Sequence, residues 1–122
     1  MFTCLIRYTI DLQKIKEFEE YARVWIALVK KYGGVHQGYF LPEKDPDDFP
    51  EDTSFSFPNI GRCGPKDVAI ALFSFPSVEK YEFYRKTVVD DEQCKRITAY
   101  HNDTKCFLSY ERSFLNPMFP DQ

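Results

Sequence analysis

Chemistry near neutral pH rests first on histidine and cysteine, and this chain has two of one and four of the other. His36 stands beside Gly38 and Tyr39 in the segment VHQGYFL. An imidazole there could act as acid, base or axial ligand, so His36 is the one candidate catalytic residue, against the plainer account of a hydrogen-bonded structural histidine. Gly38 removes a side chain in mid-strand, which opens room for a ligand or marks a bulge. His101 follows Tyr100 and precedes Asn102-Asp103, where a helix C-terminus favouring a cation explains it well enough. Cys4, Cys63, Cys94 and Cys106 contain no C-x-x-C pair. A Cys4 or Cys106 nucleophile beside His36 is conceivable, but apolar surroundings raise a thiol's pKa and make it inert.

Metal and phosphate chemistry find little support. Distant histidines and scattered cysteines form no compact ligand set. Asp45-Pro46-Asp47-Asp48 lacks the glycine and closing glutamate of an EF-hand loop. Gly61-Arg62-Cys63-Gly64-Pro65 is turn chemistry rather than a phosphate cradle. No metal and no cofactor are expected.

Aromatic rings are the other hint: 12 Phe, 8 Tyr and one Trp make up 17% of 122 residues, an excess that points to a bulky core, a pocket or a subunit contact. Tyr8, Tyr39 and Tyr110 fall on three different expected strands, and Trp25, Tyr81 and Tyr84 on expected helices. Rings converging between sheet and helices would line an apolar cavity with a few hydroxyls, the usual character of a small-ligand site. Tyr8, Trp25, His36, Tyr39, Tyr84 and Tyr110 are therefore the candidate ligand-binding residues. Arg7 or Arg112 could neutralise an anionic substrate, or pair with Glu111.

The elements that must position these side chains are legible in the patterning. Phe2 to Ile10 reads as a strand, with Phe2, Cys4, Ile6, Tyr8 and Ile10 on one face and Thr3, Leu5, Arg7 and Thr9 on the other. Asp11 offers an N-cap. Ile15, Phe18, Ala22, Trp25, Val29 and Tyr32 then follow a helical stripe that Gly33-Gly34 stops. Val35 to Leu41 is a second strand closed by Pro42, and the continuous apolar run Asp67 to Phe75 is an interior one. Ser77 caps a second helix, which Asp90-Asp91 breaks. Asp90 and Gln93 have capping-box spacing for a short third helix through about Tyr100. Lys105 to Leu115 alternates as a final strand ended by Asn116-Pro117.

The order is β-α-β, an irregular insertion, then β-α-β with a split second helix. Such halves interleave most simply into a ferredoxin-like α+β sandwich: a four-stranded antiparallel sheet with helices on one face. The third strand nevertheless carries Val68, Ile70 and Leu72 on one side and Ala69, Ala71, Phe73 and Phe75 on the other. An uncovered apolar face is a patch that soluble monomers avoid, so a second copy is expected to pack sheet to sheet as a homodimer. Between the halves, residues 42–66 hold five prolines and a run of acids, followed by Phe49, Phe55, Phe57 and Ile60. That insertion reads either as a lid or clasp docked by those rings or as a loose hairpin tip.

Charge and hydropathy narrow the function classes. A net charge of -3 without a basic surface argues against nucleic acid. Lys30-Lys31 sits at an expected helix end, where cations oppose the dipole. No stretch approaches a membrane span, and Arg7 and Asp11 interrupt the apolar N-terminus expected of a signal peptide. A cytoplasmic location and one domain over residues 1–122, with an insertion at 42–66, are the expectations.

The segments FTCLIRYTIDLQKIKEFEEYARVWIALV, GGVHQGYFLP, VAIALFSFPSVEKYEFYRK and CFLSYERSFL resemble the NIPSNAP family, within the dimeric α+β barrel superfamily. The resemblance covers nearly all of the chain except residues 42–66 and speaks for fold more than chemistry. It implies a homodimer with a pocket between sheet and helices in each subunit. It also implies, by way of the wider superfamily, cofactor-independent monooxygenase- or isomerase-like chemistry on an aromatic or polyketide-like compound. The alternative is a non-catalytic homodimeric interaction or scaffold protein.

Overall fold

The computed structural model describes residues 1–43, 45 and 64–121. Most of the Pro- and acid-rich insertion, and with it any docking of Phe49, Phe55, Phe57 and Ile60, lies outside the described residues. Four strands and three α-helices follow the expected order: β1 (Phe2–Ile10), α1 (Ile15–Lys31), β2 (Val35–Phe40), β3 (Val68–Phe75), α2 (Val78–Val88), α3 (Glu92–Thr104) and β4 (Phe107–Leu115). The sheet runs β2-β3-β1-β4 with every neighbouring pair antiparallel, which is the ferredoxin-like arrangement. Among the described residues no helix is long and apolar enough to cross a membrane.

Asp11 caps as expected, its carboxylate accepting from the Gln13 N–H at 3.0 Å, although a short 3-10 turn over Leu12–Lys14 precedes α1. Helix α1 buries Phe18, Ala22 and Val29 from the expected stripe, together with Leu28; Ile15, Trp25 and Tyr32 pack at its margins. Gly33 takes φ +92°, as a helix terminator must. At Gly34 space is the constraint: a Cβ there would lie 2.7 Å from both the Phe75 ring and a Val29 methyl.

The third helix departs from expectation at both ends. Asp91, not Asp90, is its cap, accepting from the Gln93 N–H at 2.8 Å. The reason is tertiary. The second oxygen of Asp91 is held by Lys31 Nζ at 2.7 Å and by the Tyr32 hydroxyl at 2.6 Å, which ties α3 to the end of α1. The helix also continues past Tyr100 to Thr104, whose hydroxyl donates to the Tyr100 carbonyl. Lys105 closes it in the left-handed region at φ 54°, so β4 begins only at Phe107.

Register decides which strand parity faces the helices. Cys4, Ile6, Tyr8 and Ile10 of β1 are buried there with Ala69, Ala71, Phe73 and Phe75 of β3. The opposite face presents Leu5, Val68, Ile70 and Leu72, each only half-buried, with no helix over them among the described residues. A small polar ladder crosses that face: the Thr3 and Ser74 hydroxyls are 2.8 Å apart, and Gln37 donates to Ser74 Oγ. The two-sided apolarity read from the third strand is real.

Candidate functional site

A cavity of about 140 Å³ lies between the helix-facing side of the sheet and the helices above it. Tyr8, Trp25, His36, Tyr39, Tyr84 and Tyr110, drawn from β1, α1, β2, α2 and β4, all line it. Tyr21, Arg85 and Arg112 complete its polar wall, and Ile6, Val29 and Phe73 its apolar one. Of the two arginines weighed for an anionic substrate, Arg112 is here, opposite Ile6 in the register, whereas Arg7 stands opposite Glu111 on the other face. Helical spacing is the signal in the sequence for Tyr21 and Arg85: Tyr21 precedes Trp25 by one turn, and Arg85 follows Tyr81 by one.

A β-bulge in β2 brings His36 to this wall. His36 pairs with Phe73 and Tyr39 with Ala71, so the register slips by one residue between them at Gly38, whose φ is +120°. Residues three apart on a regular strand face opposite ways; the bulge turns both rings to the helix side. The Gly38 N–H donates to His36 Nδ1 at 2.9 Å. Because Nδ1 accepts, the neutral ring carries its proton on Nε2. Burial lowers the His36 pKa from 6.5 to about 4, so the ring is neutral at physiological pH.

Nε2–H is then a buried donor, and it has no hydrogen-bond partner among the described residues. Two more donors on the same cavity wall share that condition, Trp25 Nε1 and Arg112 Nε. Trp25 Nε1 lies close enough to the Tyr21 hydroxyl to favour its ionised form, without completing a hydrogen bond. Buried N–H groups are nearly always paired in folded proteins, and leaving one unpaired costs about 1–3 kcal/mol. Three on one wall mark a place for acceptor atoms.

The phenols of Tyr8, Tyr21, Tyr39 and Tyr84 are all pushed up in pKa by burial, the first three further by one another, and stay protonated. The Arg112 guanidinium stands 5.5 Å from the centroid of the Tyr110 ring. Arg85 is exposed and Tyr110 is 51% exposed, so the β4 side is the mouth. No Asp or Glu lines the cavity, and among the described residues none pairs with Arg85 or Arg112.

This set can bind and polarise an oxygen but holds no activated nucleophile. Cys4, Cys94 and Cys106 are buried free thiols, with pKa values raised by burial. The histidine beside Cys106 is His101, at 3.7 Å, not His36. His101 stacks flat on Phe107, centroids 3.7 Å apart, in the last turn of α3 as expected. Burial and the neighbouring Lys105 lower its pKa, so the position does not favour the cation read from the sequence. Nor does His36 suit axial ligation: a metal-bound Nε2 needs its lone pair free while Nδ1–H donates outward, and here Nδ1 accepts. Among the described residues no three of His, Cys, Asp and Glu gather to hold a metal.

No family model matches the sequence. Among curated proteins there is likewise no match. The fold, by contrast, has clear counterparts in solved structures. A NIPSNAP family protein of unknown function from Agrobacterium tumefaciens superposes with a TM-score of 0.68 at 17% identity, over 96% of this chain and 87% of that one. An uncharacterised NIPSNAP domain protein from Burkholderia xenovorans gives 0.65 at 15% identity, over 97% and 95%. A Nitrosomonas europaea protein provisionally described as an antibiotic biosynthesis monooxygenase gives 0.61 at 8% identity, over 98% and 100%. Likeness at these identities shows a shared fold. The NIPSNAP resemblance read from the sequence and the structural neighbours therefore agree.

Proposed function

We propose that this chain is a NIPSNAP-like domain that binds a small aromatic molecule in the cavity between sheet and helices. The observation that carries the reading is the set of three unpartnered buried N–H donors, of His36, Trp25 and Arg112, on the wall of one ring-lined cavity. A packed core would have no reason to leave them so. An enclosed cavity of roughly 150 Å³ takes a benzene-sized ring, which makes one ring, rather than a fused polyketide, the fitting occupant of about 140 Å³.

Where catalysis follows binding, His36 is the residue assigned to it. A neutral imidazole N–H can polarise a carbonyl oxygen, or hold the oxygen of an enolate or phenolate that the substrate brings already ionised, without itself ionising. That role fits cofactor-independent isomerase- or monooxygenase-like chemistry, in which an enolate or phenolate is the reactive species. Thermal-shift screening of single-ring compounds tests the reading, since a ligand that binds only the native state raises the melting temperature. A library with no stabilising compound would count against it.

The same proposal includes a homodimer. Half-buried Leu5, Val68, Ile70 and Leu72, with Phe40 58% exposed at the edge, form an apolar sheet face that a two-fold related copy would cover. A scaffold role remains the alternative, favoured by this open face if the cavity proves unable to bind.

A further inference from the structure

The cavity is electrically lopsided. At the β2 edge stands a neutral donor, His36 Nε2–H. At the β4 edge stands the Arg112 guanidinium. Arg85 of α2 also lines the cavity and acts with Arg112 on both Tyr81 and Tyr84, and no carboxylate in the lining balances them. The strands bearing His36 and Arg112 are the two edges of the sheet, three strand spacings or about 14 Å apart. His36 and Arg112 thus occupy opposite ends of one cavity, and protonated tyrosines and Trp25 fill the wall between.

Resting on the binding reading above, we infer that the ligand is a single-ring aromatic monocarboxylate bearing an oxygen acceptor at the end away from its carboxylate. The carboxylate sits at the mouth between Arg112 and Arg85, and the distal oxygen accepts from His36 Nε2–H. Each part answers a separate observation. A planar anion matches the guanidinium fork and uses the idle Arg112 Nε–H. The ring lies among aromatic faces. The distal acceptor satisfies the imidazole, and Trp25 Nε1–H serves the ring's oxygen substituents along the way. The mouth is the exposed end, so the charged group keeps part of its hydration.

Calorimetric titration of the full chain with 4-hydroxybenzoate, benzoate and 4-hydroxybenzamide tests this, with the Trp25 indole N–H resonance followed in parallel. Trp25 is the only tryptophan, so that signal places the ligand. The acid should bind about tenfold or more tighter than the amide, and 4-hydroxybenzoate several-fold tighter than benzoate. Arg85→Gln should shrink the acid-over-amide ratio, because the acid loses a charge-assisted hydrogen bond where the amide loses at most a neutral one; Arg112→Gln should do so more strongly. His36→Phe should erase the preference for the hydroxyl alone. Acid and amide binding equally tightly would overturn the carboxylate assignment while leaving a ring-binding cavity. No binding by any of the three, with a folded protein, would bring down the binding reading as well.

Discussion

His36 and Tyr39 stack face to face, ring centroids 5.0 Å apart and 13° from parallel, although they stand three positions apart on one strand. Only the slipped register at Gly38 permits this. Gly38 has open space where a Cβ would go, so its constraint is its φ of +120° alone. Gly38→Ala should destabilise the protein by about 1–3 kcal/mol through backbone strain. The midpoint of urea unfolding reads that cost, and the loss of His36–Tyr39 stacking should also weaken aromatic ligands.

Gly34 fails for the opposite reason. A methyl group there would press on the Phe75 ring and on Val29 at 2.7 Å, both in the core beneath the end of α1. Gly34→Ala should cost about 1–3 kcal/mol as an overpacking change. An unchanged unfolding midpoint would mean that the α1–β2 connection yields more readily than its packing suggests.

Protonation of His36 sets a pH window. Its folded pKa of about 4 lies below the ordinary 6.5, so the unfolded chain binds the proton more readily. Stability is therefore unaffected by this group above about pH 6.5 and falls progressively as the pH drops toward 4. His36→Phe should flatten that part of the stability curve, measured as urea midpoints at pH 7 and pH 4.5. Asp91 acts lower down. Bonds from Lys31, Tyr32 and the Gln93 N–H hold its carboxyl below the usual range, so its contribution is present above about pH 4 and lost on further acidification. Asp91→Asn should remove much of that acid-dependent loss and weaken the junction of α1 with α3 at neutral pH.

Covering of the sheet's open face is tested by charge. Leu72 sits at its centre, opposite Leu5 and half-buried without a helix above it among the described residues. Leu72→Glu should convert a dimer into a folded monomer in sedimentation velocity, since a carboxylate cannot be buried unpaired against an apolar copy. A wild-type chain that sediments as a monomer at high concentration would contradict the pairing.

How much of this was written in the sequence depends on the range of the interaction. Local signals were sufficient for β1, for α1 with its Gly33-Gly34 stop and for the Ser77 cap, because period, caps and glycines act over a few residues. The choice of Asp91 over Asp90 was not legible, since Lys31 and Tyr32 decide it from 60 and 59 residues away. Nor was the end of α3, where the Thr104 carbonyl accepts from Lys14, 90 residues distant. Six ring and imidazole positions could be nominated by type, yet their convergence required knowing which parity faces the helices, a property of the whole sheet. The bulge at Gly38 was one of two readings of a mid-strand glycine, and only the β3 register distinguishes them.

The cavity itself is the claim on which the rest depends, and the Trp25 indole N–H resonance tests it most directly. Titration with single-ring aromatic compounds should shift that resonance saturably in the wild-type protein. Ile6→Phe, which fills the cavity from the sheet side, should abolish the shift while leaving the fold intact. An indole resonance that stays still across a panel of such compounds, in a folded chain, would contradict a ligand site between sheet and helices.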